Sequence, residues 1–235
     1  MRPPIECWNI EAEIQPLRGG HRNLAFRTIG LGVGRDLVFK STRRTEASIR
    51  WLLQVHAIAR RSGIEIPELR RSLGGNLVEN GWTCEGFVHG SLAPKADLKA
   101  LLPLVKQFHR NTDGVSQRPG FESSNALMTL EKGGDVDLSK MPSKIASKCQ
   151  HACRGIEKQQ MSIIHGDLSY GNLMRTPNGC VALIDWDECR RDHVSFDIHA
   201  IAPQGEEMER ARIAWEVACS WQIDPDYAVE LATKL

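Results

Sequence analysis

Hydrophobic and polar positions change their spacing as the chain proceeds, and the spacings predict its elements. Ile10-Glu-Ala-Glu-Ile14 alternates and Leu17 closes the run, Leu24 to Ile29 starts another, and Asp36-Leu-Val-Phe-Lys40 continues as a third, so residues 8 to 42 read as three strands. From Thr45, a good helix cap, Ile49, Leu52, Leu53, His56 and Ala57 recur at helical spacing until Ser62-Gly63. Ile66 to Leu73 and Trp82 to Val88 predict two further strands around the turn Gly74-Gly75-Asn76. Beyond residue 90 the spacing is helical. Leu101, Leu102, Val105, Phe108 and His109 mark one helix, and Ile145, Cys149, Ala152 and Ile156 mark another with Pro142 near its start. Asn111 to Lys140 is irregular, with a short helix near Ala126 to Leu130. Glu206 to Trp221 carries Met208, Ala211, Trp215 and Ala218 on one face, so Trp215 and Trp221 read as core, and Asp224-Pro225 caps a last helix to Leu235. The expected architecture is α+β: residues 1–88 form an antiparallel five-stranded sheet with one helix, and residues 89–235 form a mainly helical lobe.

Composition narrows the classes. An ordinary apolar fraction and no long uncharged apolar run exclude a membrane span, and no signal-peptide pattern follows Met1-Arg2-Pro3-Pro4, so a cytoplasmic location is the default expectation. Seven cysteines without Cys-x-x-Cys spacing point to buried thiols in a reducing compartment. Cys149 and Cys153 share a helix face from which His151 turns away, which argues against a zinc site. The net charge of +1 conceals an asymmetry: Asp187 to Leu235 holds eleven acidic and five basic residues, a balance of −6 against +7 for the 186 residues before it. Near-neutral charge and the absence of a compact basic and aromatic motif exclude nucleic acid as a partner.

Candidate chemistry concentrates between Ile163 and Glu188. Pro177-Asn178-Gly179 is a hairpin signal joining Leu173-Met174-Arg175 to Val181-Ala182-Leu183-Ile184. A hairpin returns the chain to its start, which brings Asp185 towards Asn172, two oxygen ligands of the kind a hard cation takes. Asp167 and Asn172 stand five apart, the separation of the Asp and Asn in the kinase catalytic loop.

His165-Gly166-Asp167-Leu168, then Asn172, a short hairpin and Ile184-Asp185-Trp186 resemble the aminoglycoside phosphotransferase and choline kinase-like family, with every fixed position of its pattern present. The resemblance implies a protein kinase-like two-lobe fold that uses ATP and Mg²⁺ to phosphorylate a hydroxyl of a small molecule. On that pattern Asp167 accepts the hydroxyl proton, Asn172 and Asp185 hold the metal, His165 fixes the loop and Asp197 is an internal structural acid. Gly19, Gly20 and Asn23 resemble the family's glycine loop over the phosphates, with a plain hairpin turn as the alternative. Lys40 takes the place of the phosphate lysine and Val38, two residues earlier, faces the adenine. Glu85, Phe87 and Val88 are the adenine contacts, through backbone atoms of the linker that ends at His89-Gly90. Glu46 either pairs with Lys40 across a short connection or complements the helix dipole.

Competing readings fit less of the chain. Gly30-x-Gly32 imitates a dinucleotide fingerprint, but a strand rather than a helix follows it. A protein substrate is disfavoured because only eleven residues separate Asp185 from Asp197, no Ala-Pro-Glu follows, and Ser169 stands where serine/threonine kinases commonly have lysine. The acidic C-terminal stretch points to a cationic acceptor such as an aminoglycoside, choline or another amino alcohol, although the chain after Asp197 is shorter than in typical members. A catalytically silent nucleotide-binding regulator of the same fold is the alternative function.

Overall fold

The computed structural model describes residues 2–17 and 23–235, so Gly19 and Gly20 lie outside the described residues. The chain divides into two compact units, one built from residues 1–94 and 170–184, the other from 95–169 and 185–235.

A five-stranded sheet builds the first unit. Strands β1 (Glu13–Pro16), β2 (Ala25–Ile29), β3 (Leu37–Ser41), β4 (Leu69–Arg70) and β5 (Trp82–Gly86) form an antiparallel sheet in the order β1-β2-β3-β5-β4. In β3 and β5 the residues Leu37, Phe39, Trp82 and Cys84 fall on one face and make a core with Trp8 of the one-turn helix Ile5–Trp8. The Trp8 and Phe39 rings meet edge-on at 5.4 Å. Val38, Lys40, Thr83 and Glu85 alternate onto the other face. Between β3 and β4 runs helix α1 (Glu46–Arg61), started by Thr45, whose hydroxyl accepts from the Ser48 N–H at 3.2 Å. The strand expected over residues 66–73 shrinks to two residues. Pro67 has no N–H for a ladder, and Ser72 already closes a turn with Gly75 and Asn76. After β5 the chain makes β6 (Ser91–Leu92).

The second unit opens with α2 (Lys95–Ala100) and α3 (Leu102–Asn111), where the sequence pattern marks one helix. Within the stretch expected to be irregular lie one-turn helices at Ala126–Met128 and Leu138–Lys140, and a small hairpin of β7 (Lys132–Gly133) and β8 (Val136–Asp137). Helix α4 (Ser143–Arg154) and strand β9 (Met161–Ile164) follow.

The chain then returns to the first unit. Strands β10 (Leu173–Arg175) and β11 (Val181–Leu183) pair as the Asn178-Gly179 signal predicts, with Leu173 opposite Leu183 and Gly179 at φ 84°. A division of the chain at residue 88 leaves this hairpin with the second lobe. Its bonds join it to the first: β10 pairs with β6, the Ala93 N–H donates to the Leu173 carbonyl at 2.9 Å, and the Leu183 N–H to the Glu65 carbonyl at 2.8 Å.

Back in the second unit, β12 (Arg190–His193) pairs antiparallel with β9, Arg190 opposite Ile164. The two strands form a ladder that hydrophobic spacing does not announce. Helices α5 (Ser195–Ile201), α6 (Glu206–Ser220) and α7 (Pro225–Ala232) complete the unit, and Asp224 caps α7 by accepting from the Tyr227 N–H. The predicted stripe of α6, Met208, Ala211, Trp215 and Ala218, lies in one core with Cys149, Ile164, Phe196 and Leu231. Cys149 and Cys153 are buried while His151 is exposed. No helix among the described residues is long and apolar enough to cross a membrane.

Candidate active site

The His-Gly-Asp segment leaves β9 under close control. The N–H of His165 donates to Asp197 Oδ2 at 2.9 Å, and the N–H of Gly166 to Asp197 Oδ1 at 3.1 Å. His109 Nε2 on α3 stands 3.0 Å from the same Oδ2. Asp197 is fully buried. Burial pushes its carboxyl upward, but the His109 hydrogen bond, the charges of His109 and His165 and the His165 N–H outweigh that and hold it below the usual carboxylate range. The charged form is therefore the one the surroundings are built for.

His165 is itself buried. Its Nδ1 accepts from the Asp167 N–H at 3.3 Å, and its ring meets Trp186 edge-on at 4.8 Å, with Trp186 in turn edge-on to Phe108 at 5.6 Å. Gly166 sits at φ 87°, where a Cβ would fall 2.5 Å from the Glu188 carbonyl oxygen and 2.8 Å from Arg190 Nη1. These contacts fix the backbone leading into Asp167, whose side chain is exposed.

The segment after Asp185 is gripped by two buried guanidinium groups. Arg118 Nη1 donates to the carbonyls of Asp187 at 2.7 Å and Cys189 at 3.1 Å. Arg190 donates from Nε to Asp192 Oδ2 at 2.9 Å and from Nη1 to the Glu188 carbonyl at 3.2 Å, and lies 3.6 Å above the Trp215 ring. Asp185 is exposed and holds φ 64°, a left-handed conformation that costs a non-glycine residue about 1–3 kcal/mol. The strain thus falls on the residue proposed to bind metal.

Sequence reasoning missed His109, Arg118 and Arg190 as parts of this arrangement. His109 lies inside the apolar stripe of its helix and Arg118 inside a stretch without periodicity, so neither carries a local signal.

In the first unit, the carbonyl of Asn172 accepts from the Ile184 N–H at 2.9 Å, and Asp185 is the next residue of the chain. Asn172 and Asp185 both offer oxygen, the donor that a hard divalent cation takes. Lys40 Nζ lies 2.9 Å from Glu85 Oε1. Glu46 is engaged elsewhere, which removes it as the partner of Lys40. Its Oε2 accepts from the Leu77 and Val78 N–H groups at 2.9 and 3.0 Å, and its Oε1 lies 3.4 Å from Arg50. Those two turn amides need an acceptor, and the first turn of α1 supplies it.

The linker is likewise more constrained than expected. The Gly86 N–H donates to Glu68 and the Phe87 N–H to the Asp36 carbonyl at 2.8 Å, so the Phe87 amide is spent on the fold and is not an adenine donor. The Val88 N–H and carbonyl bond to no described residue. Val38 is buried on the face that carries Lys40, and Asn23 is partly buried. Gly90, at φ 151°, lets the linker lie against β10, since a Cβ there would meet the Arg175 carbonyl oxygen at 2.1 Å.

Known proteins share this fold. The chain resembles a microcompartment-associated aminopropanol kinase at 13% identity, covering 98% of this chain and 91% of that one with a TM-score of 0.67. A thermostable mutant of the aminoglycoside phosphotransferase APH(4)-Ia in ternary complex with ADP and hygromycin B matches at 13% identity over 98% and 94% of the two chains, TM-score 0.63. The spectinomycin phosphotransferase APH(9)-Ia in complex with ADP and spectinomycin matches at 13% identity over 98% and 87%, TM-score 0.57. Identity this low speaks to the fold alone, and the fold is that of small-molecule kinases. A model of the phosphotransferase enzyme family matches residues 13–216. The chain therefore belongs to the phosphotransferase enzyme family.

Proposed function

We propose that the protein transfers the γ-phosphoryl group of ATP to a hydroxyl of a small molecule. The observation that carries this reading is the double acceptance by Asp197 of the His165 and Gly166 amides, which fixes the backbone just before an exposed Asp167. In the proposed mechanism Asp167 orients the acceptor hydroxyl and takes its proton as the oxygen attacks phosphorus. Lys40 binds the phosphates, and Val88 offers the adenine edge an N–H and a carbonyl. Asn172 and Asp185 are the residues that would hold Mg²⁺, and that ion would supply charge neutralisation at the phosphates. Asn23 is the described member of the glycine segment assigned to the same phosphates.

For the acceptor, the balance of −6 over Asp187 to Leu235 supports a cationic molecule such as an amino alcohol or aminoglycoside. The aminopropanol kinase and the antibiotic phosphotransferases are consistent with that choice.

The test is ADP release from Mg²⁺-ATP against a panel of amino alcohols, aminoglycosides and sugars. An acceptor-dependent rate is expected, lowered by about 10²–10⁴-fold in Asp167→Asn and abolished by a magnesium chelator. Release by neutral sugars alone would sink the cationic acceptor while leaving the kinase in place. ATP stabilisation of the fold with no acceptor-dependent release would favour the silent nucleotide-binding regulator instead.

A further inference from the structure

We infer that Glu85, and not Glu46, is the positioning carboxylate that holds Lys40 for the nucleotide phosphates; the inference rests on the nucleotide reading above. Lys40 faces Thr83 across the β3–β5 ladder and Glu85 lies two residues along from Thr83, so the two side chains are diagonal neighbours on one face of the sheet. Their charged atoms stand 2.9 Å apart, with 24% of the lysine side chain and 14% of the glutamate side chain exposed. The pair is sheltered from water yet open enough for a phosphate to reach the ammonium.

The helix carboxylate that would serve instead is already committed. Glu46 accepts two backbone amides, from Leu77 and Val78, and approaches Arg50 with its other oxygen. To reach Lys40 it would have to strand both amides, at a cost of about 1–3 kcal/mol for each group left unsatisfied. Glu85 needs no such exchange, because its place is set by strand register.

A mechanical consequence separates the two arrangements. Where a helix glutamate holds the lysine, movement of the helix switches the site. Here both partners belong to one sheet, so the lysine is aimed before nucleotide arrives and whatever α1 does. Glu46 serves the fold by tying the start of α1 to residues 77–78.

The test is calorimetric binding of two probes, AMP-PNP with Mg²⁺ and adenosine, to the full chain. A residue that acts on phosphates through Lys40 should affect the first probe alone. Glu85→Gln is expected to weaken AMP-PNP about tenfold, the scale of one charge-assisted hydrogen bond, with adenosine unchanged. Adding Glu85→Gln to Lys40→Met should weaken AMP-PNP no further than Lys40→Met does. Glu46→Gln should lower the melting temperature and leave both affinities intact. Glu85→Asp, which keeps the charge one methylene short, should show a smaller loss of AMP-PNP and provides the readout if the glutamine variant does not fold. The inference is overturned if Glu85→Gln binds AMP-PNP as well as or better than the parent, or loses adenosine in the same proportion. A parent protein that binds neither probe would remove the nucleotide reading and this inference together.

Discussion

One buried carboxylate couples the second unit to pH. Asp197 takes two amides and an imidazole in the interior, and its folded pKa lies below the ordinary carboxylate value. A depressed folded value contributes stability that is complete above the unfolded pKa and is lost as pH falls through the folded one. Replacing it with asparagine removes the charge and leaves one of the two amides short of an acceptor. Urea unfolding should show Asp197→Asn less stable by about 3 kcal/mol at neutral pH, and the gap should narrow as pH falls from about 5 towards 2. Gly166 gives a second test on the same loop. Alanine there combines a left-handed backbone with a methyl 2.5 Å from the Glu188 carbonyl oxygen, so Gly166→Ala should lose about 3 kcal/mol or more in the same measurement.

At the scale of elements, β12 is the most exacting. Arg190, Asp192 and His193 are all buried, and each is held by specific partners: Asp192 accepts from Arg190 and from the hydroxyl and amide of Ser124, and His193 bridges the Gln159 carbonyl and Asn125, while Arg190 Nη2 is buried without an acceptor among the described residues. Arg190→Ala would leave the Asp192 carboxylate without its cation and expose the Trp215 face. A loss of about 3–5 kcal/mol in thermal or urea unfolding is expected. The same strand explains what the sequence conceals. Helices α1, α4, α6 and α7 and the hairpin β10–β11 are legible because apolar spacing, capping residues and Asn178-Gly179 are local properties. A run of Arg-Arg-Asp-His reads as surface, since nothing nearby in the chain reveals the serine and tryptophan that make its burial tolerable. The site divides along the same line. Asp167, Asn172 and Asp185 stand out by their spacing, whereas the Asp197–His109 bond spans 88 residues and the Lys40–Glu85 pair 45.

Across the whole molecule the seven cysteines are all free thiols. Burial raises Cys84, Cys149 and Cys153 to about 12 and Cys189 higher still, while Cys180 is exposed in the hairpin. Cys7, partly buried and near Glu79 and Glu6, is also raised. An aromatic disulfide reagent at neutral pH should therefore label one thiol quickly in the native protein, at Cys180, and all seven after denaturation. Rapid labelling of two or more would mean that the buried thiols open to solvent far more readily than this packing implies.

The discontinuity of the first unit has a consequence for the order in which the protein is made. Its five-stranded sheet is complete by residue 86, yet β6, Ala93 and Gly90 find their partners only at Leu173 to Arg175. During synthesis the 75 residues from Lys95 to Ser169, all of them in the other unit, must leave the ribosome before that seam can close. A nascent chain paused short of Arg175 carries β6 and the segment before it with nothing to rest on, so the first unit closes only after most of the polypeptide exists.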